Sequence, residues 1–581
     1  MRAPLISKVA IAVALATAAS ASVTTTAVAG TTSVDTAIAD AARSAAFAHA
    51  SQTGLTDRSG LVATDVMADG DGDQHVRFSQ TYRALPVVGA DIVVHLTASS
   101  KYLGVTRASD EPVSLPTVAA KVTVKQARDR AASVVSEGTA STPRLIVRVQ
   151  HGRSVLAYET RVAVNGDAAA SRKVVLDAST GGVISDAAAL EGFISPKLER
   201  RLKALGGRAA PSLDGSVAAG KPEKPGGGSY PAPAVGTGLS MYSGTVTLNT
   251  TRTAASSYSL VDGTRGKAEI RDARNRVLSE SRVLSGASTM TDADNSWGNG
   301  TTSDTNTAGV DAQFGLASTF DFYKDTLGRS GIRDDGVGPA GVVHYATNYG
   351  NAGWSDGCWC MVYGDGDGVF FTKPLTQLDI TGHELTHGVV SATAGLETDY
   401  SVYGDQIGEP GSLNESLADI FAVAVEFDTD TAGHTPDYLL GEDLGLAQGF
   451  LRRLDRPSLD VLEGAVDYWS PAAPQTEVHA GSGVSSHAFY LLAEGSGRKT
   501  VNGVEYDSPT YDGSTVTGIG RDKAVAIFYQ ALTRYMVSST DFHDARTATL
   551  QAAADLYGQG GTEYQAVDEA WAAVNVTAAN G

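Results

Sequence analysis

The chain has 581 residues, 42% of them hydrophobic, and a formal net charge of -20, enough length for about three domains with ordinary cores. That acidic balance argues against nucleic acid or an anionic membrane as a partner, and it favours solubility and cation binding. With 64 glycines and 7% aromatic residues, the composition suits many turns rather than a helical bundle.

Residues 1–29 open with Arg2 and Lys8, run through VAIAVALATAA (9–19) and reach small-residue sites at 19–21 and 27–29. This is the layout of a secretory signal peptide, and the apolar run is too short for a bilayer span. Export to an extracellular setting is therefore expected. Only two cysteines occur, Cys358 and Cys360. In an oxidising compartment they are expected to pair with each other as a loop staple, since no further thiol completes a thiolate metal site.

From 30 to 205 the sequence alternates apolar and polar residues, as in HVRFSQTYRALPVVGADIVVHL (75–96), RLIVRVQ (144–150), VLAYETRVAV (155–164) and KVVLDASTGGVISD (173–186). Alternation predicts antiparallel strands. KVTVKQARDRAASVVSE (121–137) instead has helical spacing. Two small α+β modules are expected, at 30–118 and 119–205. Gly, Pro and Ala then dominate 206–236 without apolar periodicity, which predicts an exposed, protease-sensitive linker over 206–233. A leading module, such a linker and a larger unit fit either a zymogen or a plain tether.

Residues 234–382 read as strands and turns, and 383–581 as helices, including SLNESLADIFAVAVEF (412–427) and RDKAVAIFYQALTRYM (521–536). HELTH (383–387) stands where the two lobes meet. On a helix its spacing puts His383 and His387 on one face, as zinc ligands often are, although two histidines on an amphipathic helix would read the same. GSLNESLADIF (411–421) sets Glu415 and Asp419 one turn apart within an apolar stripe. Ser412 and Glu415 fit a capping box, but that leaves Asp419 unexplained in apolar surroundings. If Glu415 is the third zinc ligand, Asp419 can accept the N–H of a ligand histidine.

Together these two motifs resemble the thermolysin-like metalloproteases. NAGW (351–354), MVYGDGDG (361–368), LRRLDRP (451–457), EVHAGSGVSSHAFYLL (477–492) and GIGRDKAVAIFYQALTRYM (518–536) extend the likeness from about 234 to the end. Residues 75–96 resemble a fungalysin/thermolysin propeptide, and 121–186 a PepSY-type module, which favours the zymogen. The implied fold class is α+β: a β-rich and an α-helical lobe with a zinc cleft between them, behind an α+β propeptide.

The resemblance further implies a secreted zinc endopeptidase that cuts on the N-terminal side of bulky hydrophobic residues. Zinc would be held by His383, His387 and Glu415, with Glu384 as general base. His479 would stabilise the oxyanion, together with Tyr400 or Tyr403. Pro474 stands where the family has the aspartate that orients this histidine, with Glu477 nearby. Asn351, Ala352 and Arg452 would hold the substrate backbone, and Phe371, Ile380, Leu440 and Leu451 would line the pocket after the scissile bond. Asp379, Glu426, Asp437 and Glu442 match calcium ligands. The GDGDG stretch (364–368) is expected to be a tight turn. The extra stretch ETDYSVYGDQIGEP (397–410) is expected to reshape the primed side. Implied partners are protein and peptide substrates and the chain's own propeptide, as chaperone and inhibitor, in a monomer processed within 206–236.

Overall fold

The computed structural model describes residues 36–135, 137–204, 230–401, 404–429, 431 and 433–578. The expected signal peptide, most of the 206–233 linker and Tyr403 lie outside the described residues.

Helix α1 (Thr36–Ala48) is alanine-rich and buries Ala39, Ala42 and Ala46 at helical spacing. They cover Leu61, Val76, Phe78, Ile92, Val94 and Leu96 on strands β1 (Ser59–Ala68), β2 (Gln74–Tyr82), β3 (Leu85–Val88), β4 (Ile92–Leu96) and β5 (Tyr102–Arg107). Helix α2 (Val124–Val134) starts at a capping box between Thr123 and Gln126, which satisfies two otherwise orphaned N–H groups. Its Ala127 and Ala131 cover β7 (Arg144–Gln150), β8 (Arg153–Val164) and β9 (Asp167–Asp177), with β6 (Gly138–Ala140) and β10 (Val183–Ala188) at the margins. β3 pairs in parallel with β7 through Val87 and Val147. Two apolar clusters lie along one ten-stranded sheet, and the second draws Tyr82, Val87, Ala90, Val113 and Leu115 from before the expected boundary at 118/119.

Downstream come β11 (Glu191–Gly192), α3 (Pro196–Ala204), β12 (Ala232–Leu239) and β13 (Thr245–Ala254). The sheet nearest the cleft runs β11-β16-β17-β15-β14, where β14 is Ala268–Asp272, β15 is Ala340–Val343, β16 is Ala352–Ser355 and β17 is Cys360–Tyr363. Its outermost strand, β11, is supplied by the upstream module. Cys358 and Cys360 are disulfide-bonded to each other. Helix α4 (Asn306–Asp321) backs this lobe.

The second lobe is helical: α5 (Leu378–Ala392), α6 (Glu409–Asp428), α7 (Val478–Gly481), α8 (Gly483–Glu494), α9 (Arg521–Gln530), α10 (Phe542–Tyr557) and α11 (Thr562–Ala573). The expected boundary at 382/383 falls inside α5. Gly382 lets α5 and α6 approach closely, because a Cβ there would sit 3.2 Å from Ala422 Cα. Helix α6 begins at Glu409 with Pro410 in its first turn, a position where proline's missing N–H costs nothing. Ser412 therefore lies inside the helix, and its buried Oγ has no hydrogen-bond partner. The capping-box account of Glu415 is corrected. Among the described residues no helix is long and apolar enough to cross a membrane.

The upstream sheet docks on the helical lobe. Arg77, 4% exposed, donates to the carbonyls of Thr533 and Met536, each at 2.9 Å, and faces Asp91 at 3.7 Å. The 397–410 stretch carries a small ribbon, β18 (Asp399–Tyr400) against β19 (Gln406–Ile407). It meets the upstream sheet through Arg148–Glu397 at 2.5 Å and Gln150 to Asp399 at 2.5 Å, and Arg200 of α3 pairs with Asp405. Arg77→Ala would leave Asp91 and two carbonyls without their buried cation. The expected cost is about 3–5 kcal/mol, read as a lower urea midpoint of the full chain.

Candidate metal centre and cleft

One turn of α5 separates His383 from His387, and their Nε2 atoms lie 3.1 Å apart. His383 donates from Nδ1 to Asp419 at 2.8 Å, and His387 from Nδ1 to Asn414 at 3.0 Å. Each Nε2 therefore carries its lone pair, and the two lone pairs face each other. Glu415 Oε2 stands 3.4 Å and 3.7 Å from them, buried and without a hydrogen-bond partner. Three acceptors this close and buried repel one another unless a cation lies among them. Zinc bonds of about 2.1 Å in a tetrahedron put ligand atoms about 3.4 Å apart, so the donor set fits zinc, with His383, His387 and Glu415 as the group able to hold it.

Burial alone would raise the Glu415 carboxyl, but His479, His387 and His383 hold it well below the usual carboxylate range. Burial pushes His387 down to about 4, against the pull of Glu415. Glu384 is pushed well above its ordinary value by burial and then by Glu415. Its Oε2 accepts from the Trp354 N–H at 2.9 Å, while Oε1 is buried without a partner.

Asp419 also accepts from Arg452, from Nε at 3.0 Å and from Nη2 at 3.0 Å. Burial would raise this carboxyl, yet Arg452 and His383 hold it below its ordinary value. His479 is oriented by Glu477, which accepts from Nδ1 at 2.9 Å. The other carboxylate oxygen of Glu477 accepts the N–H of His479 at 3.0 Å and of Ala480 at 3.3 Å, so one side chain caps α7 and aims the imidazole. Burial opposes a charged imidazole here, but Glu415 and Glu477 raise His479 well above its ordinary value.

The cleft is filled by residues 191–195 of the same chain. β11 pairs antiparallel with β16, Glu191 opposite Trp354 and Gly192 opposite Gly353. Gly353 is required for this approach, because a Cβ there would meet the Glu191 carbonyl at 2.3 Å. His479 Nε2 donates to the Gly192 carbonyl at 3.0 Å. The Phe193 N–H donates to the Ala352 carbonyl at 3.1 Å, and the Phe193 carbonyl accepts from Arg452 Nη1 at 2.9 Å. Asn351 accepts from the Ile194 N–H and donates to the Ile194 carbonyl, each at 3.0 Å. The Phe193 ring stands edge-on to His383 at 5.2 Å and under the Arg452 guanidinium at 4.4 Å.

Phe371, Ile380, Leu440 and Leu451 are buried in the same contiguous apolar cluster as Phe193. Tyr400, its hydroxyl raised by burial, lines a cavity of about 240 Å³ together with Glu191, Trp354 and Asn414. Glu191 is pushed up to about 8 by burial, Glu415 and Asp356. Of the four candidate calcium residues, Glu426 and Glu442 converge, but on His434, which the sequence reading missed. Its Nε2 lies 3.0 Å from Glu426 and 3.6 Å from Glu442. Asp379 and Asp437 each spend one oxygen on a backbone N–H, of Gly441 and Leu439. Burial, then Asp379 and Asp437, push Glu426 well above its ordinary value, and burial, Asp379 and Glu426 do so for Glu442. Buried oxygens of both glutamates lack partners. Glu426, His434 and Glu442 form a group able to hold a cation, and carboxylate oxygens suit a hard one.

Residues 235–391 match the family model of the thermolysin metallopeptidase catalytic domain, and 405–576 that of its alpha-helical domain. Residues 59–109 match the fungalysin/thermolysin propeptide motif. The chain is 40% identical over 538 residues to a transglutaminase-activating metalloprotease of Streptomyces mobaraensis, covering 91% of this chain and 62% of that one. It is 39% identical over 350 residues to a bacillolysin of Bacillus cereus, covering 59% and 55%. It is 33% identical over 527 residues to a thermolysin of Alicyclobacillus acidocaldarius subsp. acidocaldarius, covering 87% and 84%. The chain thus spans less than two thirds of the length of the first two relatives.

Asp419→Ala would leave Arg452 buried without its counter-charge and free His383 Nδ1. The expected loss is about 3–5 kcal/mol of stability, measured by denaturant titration, together with weaker zinc retention by metal analysis.

Proposed function

The chain belongs to the thermolysin metallopeptidase family, and we propose that it is a secreted zinc endopeptidase, made as a zymogen, that cuts before bulky apolar residues. The observation that carries this reading is the cleft itself: three ligand atoms converge beside Glu384 and His479, and a peptide segment lies across them in extended form. The signal-peptide layout of residues 1–29 supports secretion.

His383, His387 and Glu415 would hold the zinc, which when bound would activate a water and polarise the scissile carbonyl. Glu384, fixed through Trp354, takes the proton of the attacking water and delivers it to the leaving amine. Its unpartnered Oε1 is the atom free for this transfer. His479, held by Glu477, donates to the oxygen that becomes the oxyanion. Tyr400 is the second candidate donor, since it lines the adjoining cavity. Asn351, Ala352 and Arg452 grip the backbone on the leaving-group side, and Arg452 does so with a charge-assisted bond. Phe371, Ile380, Leu440 and Leu451 contribute the apolar surroundings that select Leu, Phe or Ile there. Residues 59–109, with the PepSY-like unit at 119–205, form a propeptide that covers the cleft until processing.

For calcium, Glu426 and Glu442, with Asp379 and Asp437 nearby, supply the carboxylates, and His434 adds an imidazole that this ion does not need. Casein digestion by the processed protein is expected to vanish with a zinc chelator and in Glu384→Ala, and to return on adding zinc to the wild type only. A zinc-loaded wild type that digests nothing would sink the reading. Calcium at about a hundred times its dissociation constant adds about 2.7 kcal/mol, a rise in Tm of roughly 3–5 °C for a protein of this size, and the gain should be lost in Glu426→Gln. A melting curve indifferent to calcium would reject the ion.

A further inference from the structure

The 191–195 segment is held as a substrate is held, by both backbone and side chain. Its strand pairs antiparallel with β16, and each peptide group from Gly192 to Ile194 has its own partner. The Gly192 carbonyl lies under His479, whose Nε2 stands 3.5 Å from the metal-ligand oxygen of Glu415. The carbonyl at the reacting position is therefore that of Gly192, and the residue after it is Phe193, a bulky apolar side chain buried against His383 and Arg452. Gly192 suits this place, because a Cβ there would press on Asn351 Nδ2 at 3.0 Å.

Beyond Phe193 the chain stays on the catalytic lobes. Ser195 donates from Oγ to Glu463 at 2.5 Å and accepts the Leu198 N–H at 2.9 Å, which starts α3. Leu198 and Leu202 are buried in the catalytic core cluster, Asn351 donates to Glu199 at 2.8 Å, and Arg200 pairs with Asp405. The segment following the reacting bond has more anchors on the enzyme than the bond itself needs.

We propose that Gly192–Phe193 is the first bond the enzyme cuts, in its own chain, and that Phe193–Ala204 then remains in the primed half of the cleft as a tethered product. Water oxygen bonds to the Gly192 carbonyl carbon, the C–N bond to Phe193 breaks, and Glu384 passes the water's proton to the new Phe193 amine. One water is consumed and no other reactant is needed. The cut lies upstream of the 206–236 bracket read from composition. Residues 205–229 still join the product covalently to the catalytic lobes, so its rebinding stays intramolecular. Full activity therefore requires a second cut after Ala204. This proposal rests on the endopeptidase reading above.

The test follows the full-length chain over time, with N-termini read by mass spectrometry and casein digestion measured on the same samples. A fragment beginning at Phe193 is expected first, at a rate unchanged by dilution, and absent in Glu384→Ala. Casein digestion should stay low while that fragment dominates, then rise by about tenfold or more once N-termini beyond Ala204 appear. Phe193→Asp should lose the first cut, and Phe193→Leu should keep it, which separates loss of the pocket contact from failure to fold. A first N-terminus beyond Ala204, in material that then digests casein, would overturn the bond assignment and leave the endopeptidase reading intact. A dilution-dependent first cut would overturn cleavage within one chain. Casein digestion rising in step with the Phe193 fragment would overturn the tethered product. Zinc-loaded chain that neither cuts itself nor digests casein would overturn both readings.

Discussion

A carboxylate deep in a protein is tolerable only where its charge is matched and its lone pairs are bonded, and Asp419 has both, its charge matched by Arg452 and a further hydrogen bond accepted from His383. That single sharing fixes much of the cleft. Bonding to Asp419 sets the His383 tautomer, so that Nε2 presents a lone pair toward His387 and Glu415. It also locks the guanidinium so that Nη1 points outward to the carbonyl of whatever peptide lies there. Metal presentation and backbone recognition thus share one anion on α6. The pair need not be stabilising against an apolar substitute. Its value lies in holding two functional atoms at fixed positions, which catalysis rewards steeply.

A second constraint acts at the sheet edge. An edge strand leaves unpaired N–H and C=O groups and so accepts another strand. β16 ends one side of the catalytic sheet, and Gly353 removes the side chain that would keep a neighbour away. Any extended peptide can complete this edge, and the chain's own 191–195 segment does so. Inhibitor and substrate then differ only in whether the segment leaves after cutting. Anchors beyond the cleft decide that, and here they are Ser195 on Glu463 and the buried Leu198 and Leu202 of α3.

The metal group was legible because helical spacing is a local signal: His383 with His387, and Glu415 with Asp419, are each one turn apart. The role of Asp419 followed from asking what a carboxylate does in an apolar run. Glu477 was noticed only as a neighbour of His479, because a cap that also bonds a ring nitrogen leaves no periodicity. His434 escaped because its partners, Glu426 and Glu442, make sense only once the intervening turn is folded. The 397–410 stretch brings Tyr400 to the cavity beside the cleft, while its Glu397 and Asp399 bond the upstream sheet, a relation between residues some 250 positions apart that no local pattern signals. Gly192 and Phe193 were invisible for the same reason: every partner that defines them is distant in sequence. Composition marked the linker as cleavable but said nothing about which bond reaches the metal.

The two candidate ion sites share one pair of helices. Helix α5 carries Asp379 in its first turn and His383 in the next, and α6 carries Glu415 near its start and Glu426 in its last turns. A glutamate near a helix C-terminus already opposes the helix dipole. Burying Glu426 beside Glu442 and within the field of Asp379 adds burial cost and repulsion, visible in how far both glutamates are raised. His434, between the two glutamates, offsets part of this, and a cation bound to the carboxylates would offset more while drawing their elements together. A cation there would draw the end of α6 toward the start of α5. The same two helices bring Glu415 to His383 and His387, where a few tenths of an ångström separate a complete ligand set from an incomplete one. Cation loss at the acidic cluster should therefore loosen the catalytic site through the helix pair itself, with no side chain of the cleft touched.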